Sequence, residues 1–181
     1  MQGTAGKLEF EFDNSADKLV SSLEYMLGHI TGRIPVWADA ENILFRSKVI
    51  ITELLTNGIK HAGKSSTLFD IETDAERMVI RKIDRGMPLY LVNTHHNSPS
   101  GNEELNKRLI SADPLNSLYA IWESENHIRF VSEEGSLDDF LSFEQVMEHF
   151  GILIITRSSD EFTYTYDKKV KTNIFTVNIL F

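Results

Sequence analysis

Cysteine is absent from the 181 residues. That excludes a disulfide framework, a thiolate metal site, a cysteine nucleophile and dithiol redox chemistry. Long apolar runs are missing too. None approaches the roughly 20 residues that a membrane span requires, and the N-terminus carries no signal-peptide core. Positive charge is scarce: 18 Lys and Arg stand against 27 Asp and Glu, a net charge of −9. Phosphate neutralisation needs a basic surface, so a general nucleic-acid role is set aside. These absences lead to the expectation of a cytoplasmic protein that uses neither nucleic acid nor membrane as its partner.

What is present reads as one globular domain. Hydrophobic residues make up 41% and charged residues 25%, a composition that supports a core, and the length fits a single unit over residues 1–181. No internal repeat or low-complexity stretch is visible. The acidity is concentrated in one segment: residues 102–148 hold 11 acids and three bases, whereas the rest of the chain is nearly balanced. Such a stretch reads as a solvated surface or as an acidic docking face for a basic partner.

Periodicity then orders the chain. Residues 7–12, KLEFEF, alternate as a half-buried strand does. Asn14 or Ser15 is placed to cap a helix over 17–30, with Leu19, Leu23, Met26, Leu27 and Ile30 on one face. Gly32 and Pro35 end it. Asp39 opens a second helix reaching about residue 61. Strands are expected over 67–73 and 77–83, joined by a turn at Asp74-Ala75-Glu76. Residues 95–102 read as loop, and the adjacent His95-His96, with no third ligand nearby, do not make a metal site. Farther on, residues 104–110 and 137–150 are expected as helix and 127–131 as strand, with a new element starting at 152–156. Residues 162–166 and 173–181 form a closing hairpin. Trp37 and Trp122 are taken as packing residues. The order is strand, two helices, two strands, an irregular section, a helix and two strands, an α+β arrangement.

Two stretches carry chemistry. In Glu53-Leu54-Leu55-Thr56-Asn57-Gly58-Ile59-Lys60-His61-Ala62, Glu53 and Asn57 are four apart and share a helix face, which Lys60 and His61 continue. A carboxylate, an amide oxygen and cations on one face suit a magnesium–triphosphate, and the carboxylate can serve as a base. The same pattern also fits an amphipathic helix whose polar face meets water. In Ile83-Asp84-Arg85-Gly86-Met87-Pro88 a strand ends on an acid, with a glycine two residues on. Asp84 can accept a hydrogen bond from an exocyclic amine, and Gly86 allows close backbone approach. An Asp-x-Gly is equally an ordinary turn.

Together and in this order, the two stretches resemble the N-box and first glycine box of the GHKL ATP-binding domain, the Bergerat fold. Gyrase, heat-shock chaperones, mismatch-repair ATPases and histidine kinases share that domain. The likeness is closest to bacterial anti-sigma-factor serine kinases, whose ending Gly151–Phe181 also resembles: a glycine, an apolar helix, an acidic pair like Asp160-Glu161, and a strand hairpin. The resemblance covers residues 7–93 and 149–181.

It implies a two-layer α/β sandwich with a mixed, mostly antiparallel sheet, helices on one face, and a divergent acidic lid or insertion at about 97–148. It implies ATP and Mg2+ as cofactors and transfer of the γ-phosphoryl group to a serine or threonine of a regulatory partner, a sigma factor or an anti-anti-sigma-like protein. A homodimer through the N-terminal strand and helix is part of the same expectation. Carried over by position, Glu53 is the catalytic base, Asn57 the magnesium ligand, Lys60 or His61 lies near the phosphates, and Asp84 with Gly86 holds adenine. Gly151 would sit in the second glycine box, at a helix start whose free amides favour anions. That box reads His149-Phe150-Gly151-Ile152, with His149 where a first glycine is expected. The alternative is a docking module on a degenerate ATPase fold, without catalysis. A detached histidine-kinase catalytic domain is a third reading, and it needs a histidine-bearing partner.

Overall fold

Alternation in Gly6–Phe12 gives the first strand, β1, with Phe12 turned fully inward. A single turn of 3-10 helix at Ala16–Lys18 leads into α1, Leu19–Thr31, which buries Leu23, Met26 and Ile30. Asn14 and Ser15 do not cap it through their side chains. Asn14 adopts a left-handed conformation, φ 57°, and its Oδ1 accepts a hydrogen bond of 2.8 Å from the Thr67 hydroxyl. That oxygen also fills the space where a Cβ on Gly58 would lie, 2.7 Å away. Gly58 in the second helix is therefore explained by close packing on the loop after β1. Asn14→Ala loses the bond and keeps the costly φ, so it should lose about 1–2 kcal/mol in urea unfolding, with Asn14→Gly losing less.

The computed structural model describes residues 5–62, 66–89, 91, 106–112, 115–134 and 143–181, the last stretch as backbone alone up to residue 148. The second helix, α2, runs Ala40–His61, and its start is capped by Asp39, whose carboxylate accepts the Asn42 N–H at 3.1 Å. Then come β2, Thr67–Thr73, and β3, Arg77–Asp84. Their turn is closed by the Asp74 carboxylate, which accepts the N–H groups of Glu76 and Arg77 at 2.8 and 2.9 Å. The chain continues through β4, Lys107–Ala112, β5, Asn116–Ser124, β6, His127–Glu134, the helix α3, Phe143–Ser158, and the hairpin β7, Glu161–Asp167, and β8, Thr172–Leu180.

The eight strands among the described residues form one sheet in the order β1-β2-β3-β8-β7-β6-β5-β4, and every pairing is antiparallel. The expected mixed sheet is thus purely antiparallel among the described strands. Register aligns Ile71, Ile80, Val177, Phe162, Phe130 and Ala120 in one row across the sheet. This row is buried in a single cluster with Met26, Ile30, Ile50, Leu54, Ile152 and Ile155 of the three helices. The other side of β1–β3 carries Lys7, Glu9, Asp70, Glu72 and Arg81, which pair with one another. A layer of helices on one sheet face is the α+β architecture expected.

The middle of the chain departs from expectation. Residues 107–110 are strand, not helix: β4 pairs with β5, and tertiary pairing overrides the expected helix. Strand β5 was not foreseen, because its apolar run is buried on both faces and shows no clean alternation. The described part of the expected lid is therefore mostly sheet, with the start of α3 from Phe143, and its acids are partly spoken for. Glu123 pairs with Arg129, Glu133 with Lys107, and Glu125 with Lys168. Residues 95–102, with His95-His96, lie outside the described residues, as do Gly63 and Lys64. Trp122 packs against the core, but Trp37 is 65% exposed and does not pack as expected. Among the described residues, no helix is long and apolar enough to cross a membrane.

Candidate functional site

Strand β3 ends on Asp84 in the core layer of the sheet. Residues 80, 82 and 84 share one face, so Lys82 and Asp84 both point toward the helices, 2% and 5% exposed. Their side chains form a buried ion pair. Asp84 Oδ1 accepts two further hydrogen bonds of 2.8 Å, one from the Gly86 N–H and one from the Asn173 amide on β8. Burial pushes the Asp84 carboxyl up, and the Lys82 ammonium, the Asn173 amide and the Gly86 N–H together bring it below its ordinary value. Burial also pulls the Lys82 ammonium down, against the opposing attraction of Asp84. The ammonium lies 4.8 Å from the Phe175 ring centre.

The loop after β3 is held by the same network. The Asn173 amide donates to the carbonyls of Gly86 and Met87, at 3.1 and 3.3 Å. The Asn173 Oδ1 accepts the Tyr164 hydroxyl at 2.8 Å, and that hydroxyl accepts the Leu89 N–H at 2.9 Å. Burial pushes the Tyr164 pKa up to about 12, so it stays a neutral donor. Gly86 presses on the end of α2: a Cβ there would lie 2.6 Å from the His61 carbonyl and 3.2 Å from the Ala62 Cα. The close approach expected of Gly86 is real, and what approaches is the helix end.

Farther back along α2, Glu53 and Asn57 face α3. A Cβ on Gly151 would lie 2.9 Å from Glu53 Oε2 and 3.8 Å from Asn57 Nδ2. Three of the expected site residues are thus together where α2 crosses α3. Eight residues separate Glu53 from His61, about 12 Å of helix at 1.5 Å per residue. The structure therefore sets Gly86, beside Asp84, at the C-terminal end of α2, and Gly151 against Asn57 and Glu53, about one and two turns earlier. Lys60 and His61 occupy the last turn, with exposed side chains.

One expectation is corrected. Gly151 is not at a helix start. Helix α3 begins at Phe143 and runs through Gly151 to Ser158, so the expected break between 150 and 152 does not occur. A mid-helix amide is committed to the helix ladder and is not free for an anion. Glycine here costs the helix about 1 kcal/mol relative to alanine, and the close crossing with Glu53 accounts for it. His149, at the expected first glycine, is 6% exposed in the same helix.

Lys82, Asn173 and Tyr164 were not singled out from the sequence. Lys82 had a legible signal: a lysine at an inward position of an alternating strand, two residues before an acid. Asn173 and Tyr164 had none, because only the register of β7 on β8 and of β8 on β3 brings them to Asp84.

No cluster of three or more His, Asp or Glu suited to a metal occurs among the described residues. Asn57 and Glu53 nonetheless supply oxygens at one place, and magnesium commonly takes one or two protein oxygens, completing its shell with phosphate and water. The donor set is compatible with that ion. Two open surface grooves, of about 470 and 390 Å³, lie away from this region, beside β1–β3 and between β1 and α1. Compared with models of known families and with curated proteins, the chain has no match.

Proposed function

We propose that the chain is a cytoplasmic ATP-binding regulator on a Bergerat-type ATPase fold, acting as a serine/threonine kinase of the anti-sigma-factor type. The observation that carries this reading is the arrangement along α2: a buried carboxylate with a close-packed glycine at one end, and Asn57 and Glu53, one and two turns back, converging on Gly151. A nucleotide lying along α2 would place its base at Asp84 and its phosphates toward Asn57. Asn57 would hold Mg2+, which when bound supplies positive charge against the phosphates. Glu53 would take the proton of the attacking hydroxyl of a regulatory partner, a sigma factor or an anti-anti-sigma-like protein. Positioning and electrostatics dominate phosphoryl transfer, so this small set can suffice.

Glu53→Ala tests the catalytic half: ATP binding should persist while transfer or hydrolysis falls by about 100-fold or more. An unchanged rate contradicts Glu53 as base. Gly151→Ala is the gentler companion. The added methyl meets only the end of a flexible side chain, so stability should change by less than about 1 kcal/mol while turnover falls as Glu53 is displaced. Thermal melts and a turnover assay on the same preparation check both.

A second reading is a docking module on this fold without catalysis. The observation that favours it is the continuous helix through Gly151, which leaves no helix start there for phosphates. ATP binding with no turnover in either the wild type or Glu53→Ala would make it the better account.

A further inference from the structure

Lys82, at the heart of this region, is a charged residue that the reading above leaves without a role. It is a lysine in a core position, with Ile80 before it and Asp84 after it on the same strand face, Phe69 opposite it on β2 and Phe175 opposite it on β8. An apolar residue would fill such a place at no electrostatic cost, whereas burying an ammonium costs several kcal/mol unless something is gained.

What Lys82 touches is Asp84. An ionised carboxylate has about four acceptor sites, two per oxygen. On Asp84, Oδ1 is filled by Gly86 and Asn173, and Oδ2 takes Lys82. Among the described residues one acceptor site remains, on Oδ2. A buried carboxyl lacking the ammonium beside it would take up a proton and present a donor instead. We propose that Lys82 is a positioning residue that keeps Asp84 an acceptor-only anion with one free site, so that the pocket selects a ligand edge bearing an amino group over one bearing a carbonyl. This rests on the nucleotide reading of Asp84 and adds what fixes its selectivity.

Among the described residues, the other charged or titratable groups around the pair are few. Tyr164 on β7 is held neutral and reaches Asp84 through Asn173. From α2, His61 lies at the helix end beside Gly86, and Glu53 sits about two turns back against α3. On β8 and β2 the neighbours of Lys82 are the phenyl rings of Phe175 and Phe69.

The test uses the full chain, Lys82→Met, and two readouts. First, the Asp84 carboxyl carbon is titrated by NMR without nucleotide. In the wild type it should titrate below its ordinary value of 3.8; in Lys82→Met it should titrate well above it. Second, ATP and ITP affinities are measured by calorimetry from about pH 5.5 to 8.5. Wild-type ATP affinity should be flat across that range. In Lys82→Met it should fall about tenfold or more toward the acid end, with the preference for ATP over ITP narrowing in step. A variant in which Asp84 titrates as in the wild type, with a flat affinity profile, overturns the proposal and leaves Lys82 a packing residue. Should Lys82→Met not fold, wild-type titration decides alone: an Asp84 carboxyl at or above 3.8 overturns it. Absence of ATP binding by the wild type would refute the nucleotide reading and with it the ligand preference, while the carboxyl titration still decides whether Lys82 holds Asp84 ionised.

Discussion

Lys82→Met should lower stability by about 3 kcal/mol near pH 7, because removing one member of a buried ion pair leaves the other charge uncompensated. The loss should depend on pH in a definite direction. In the wild type the folded Asp84 pKa is below its unfolded value of 3.8, so its stabilisation is fully present above 3.8 and is lost as pH falls through the folded value. In Lys82→Met burial raises the folded pKa above 3.8, so the penalty is present at neutral pH and disappears as the carboxyl takes up its proton. The gap between the two proteins is therefore widest near neutrality and narrows toward pH 4. A second change, Asp84→Asn, removes the orphaned charge, and the double variant should be more stable than Lys82→Met alone by about 1 kcal/mol or more. Urea unfolding of the four proteins of the cycle at two pH values measures all of this. Additive, pH-independent losses would show that the pair acts only through packing.

Gly86→Val should be nearly as damaging, for a different reason. Besides the Asp84 carboxylate, the atoms that a Cβ would meet are backbone of the α2 terminus, the His61 carbonyl and the Ala62 Cα. Backbone cannot turn aside as the end of a side chain can. The loop is fixed from its other side by Asn173 and Tyr164 through Gly86, Met87 and Leu89, so it cannot simply swing out. A loss of about 2–3 kcal/mol is expected, in the range of overpacked interior sites. Asp84 should also lose the Gly86 N–H bond and any affinity that depends on it. Gly151→Ala is the internal comparison, since its added atom meets the tip of Glu53. If both glycine variants melt together, close packing at Gly86 is not what the position serves.

The outer thirds of the chain were legible because local pattern and tertiary demand agree there. Residues 7–12 alternate and are a strand, α2 starts at the expected Asp39 cap, and the 67–84 hairpin turns at Asp74. Glu53 and Asn57 share a face because helix geometry requires it, and that face meets Gly151. The middle was illegible for the opposite reason. Strand β4 shifts register between Leu109 and Ser111 and is recruited by β5, and β5 is buried on both faces, so period-2 alternation is erased in both. The break expected at Gly151 did not occur because a glycine in a helix costs only about 1 kcal/mol, little enough for a close helix crossing to offset. Asn14 looked like a cap and instead fills the notch at Gly58, a contact 44 residues distant that no local pattern announces.

The central claim is that Asp84 and the α2 face together hold a nucleotide. Calorimetric titration of magnesium-ATP into the full chain and into Asp84→Asn tests it most directly. The account expects micromolar affinity for the wild type and a loss of about tenfold or more, at least 1.4 kcal/mol, when Asp84 is replaced. No heat of binding at millimolar ATP, or equal affinity in the two proteins, would contradict it.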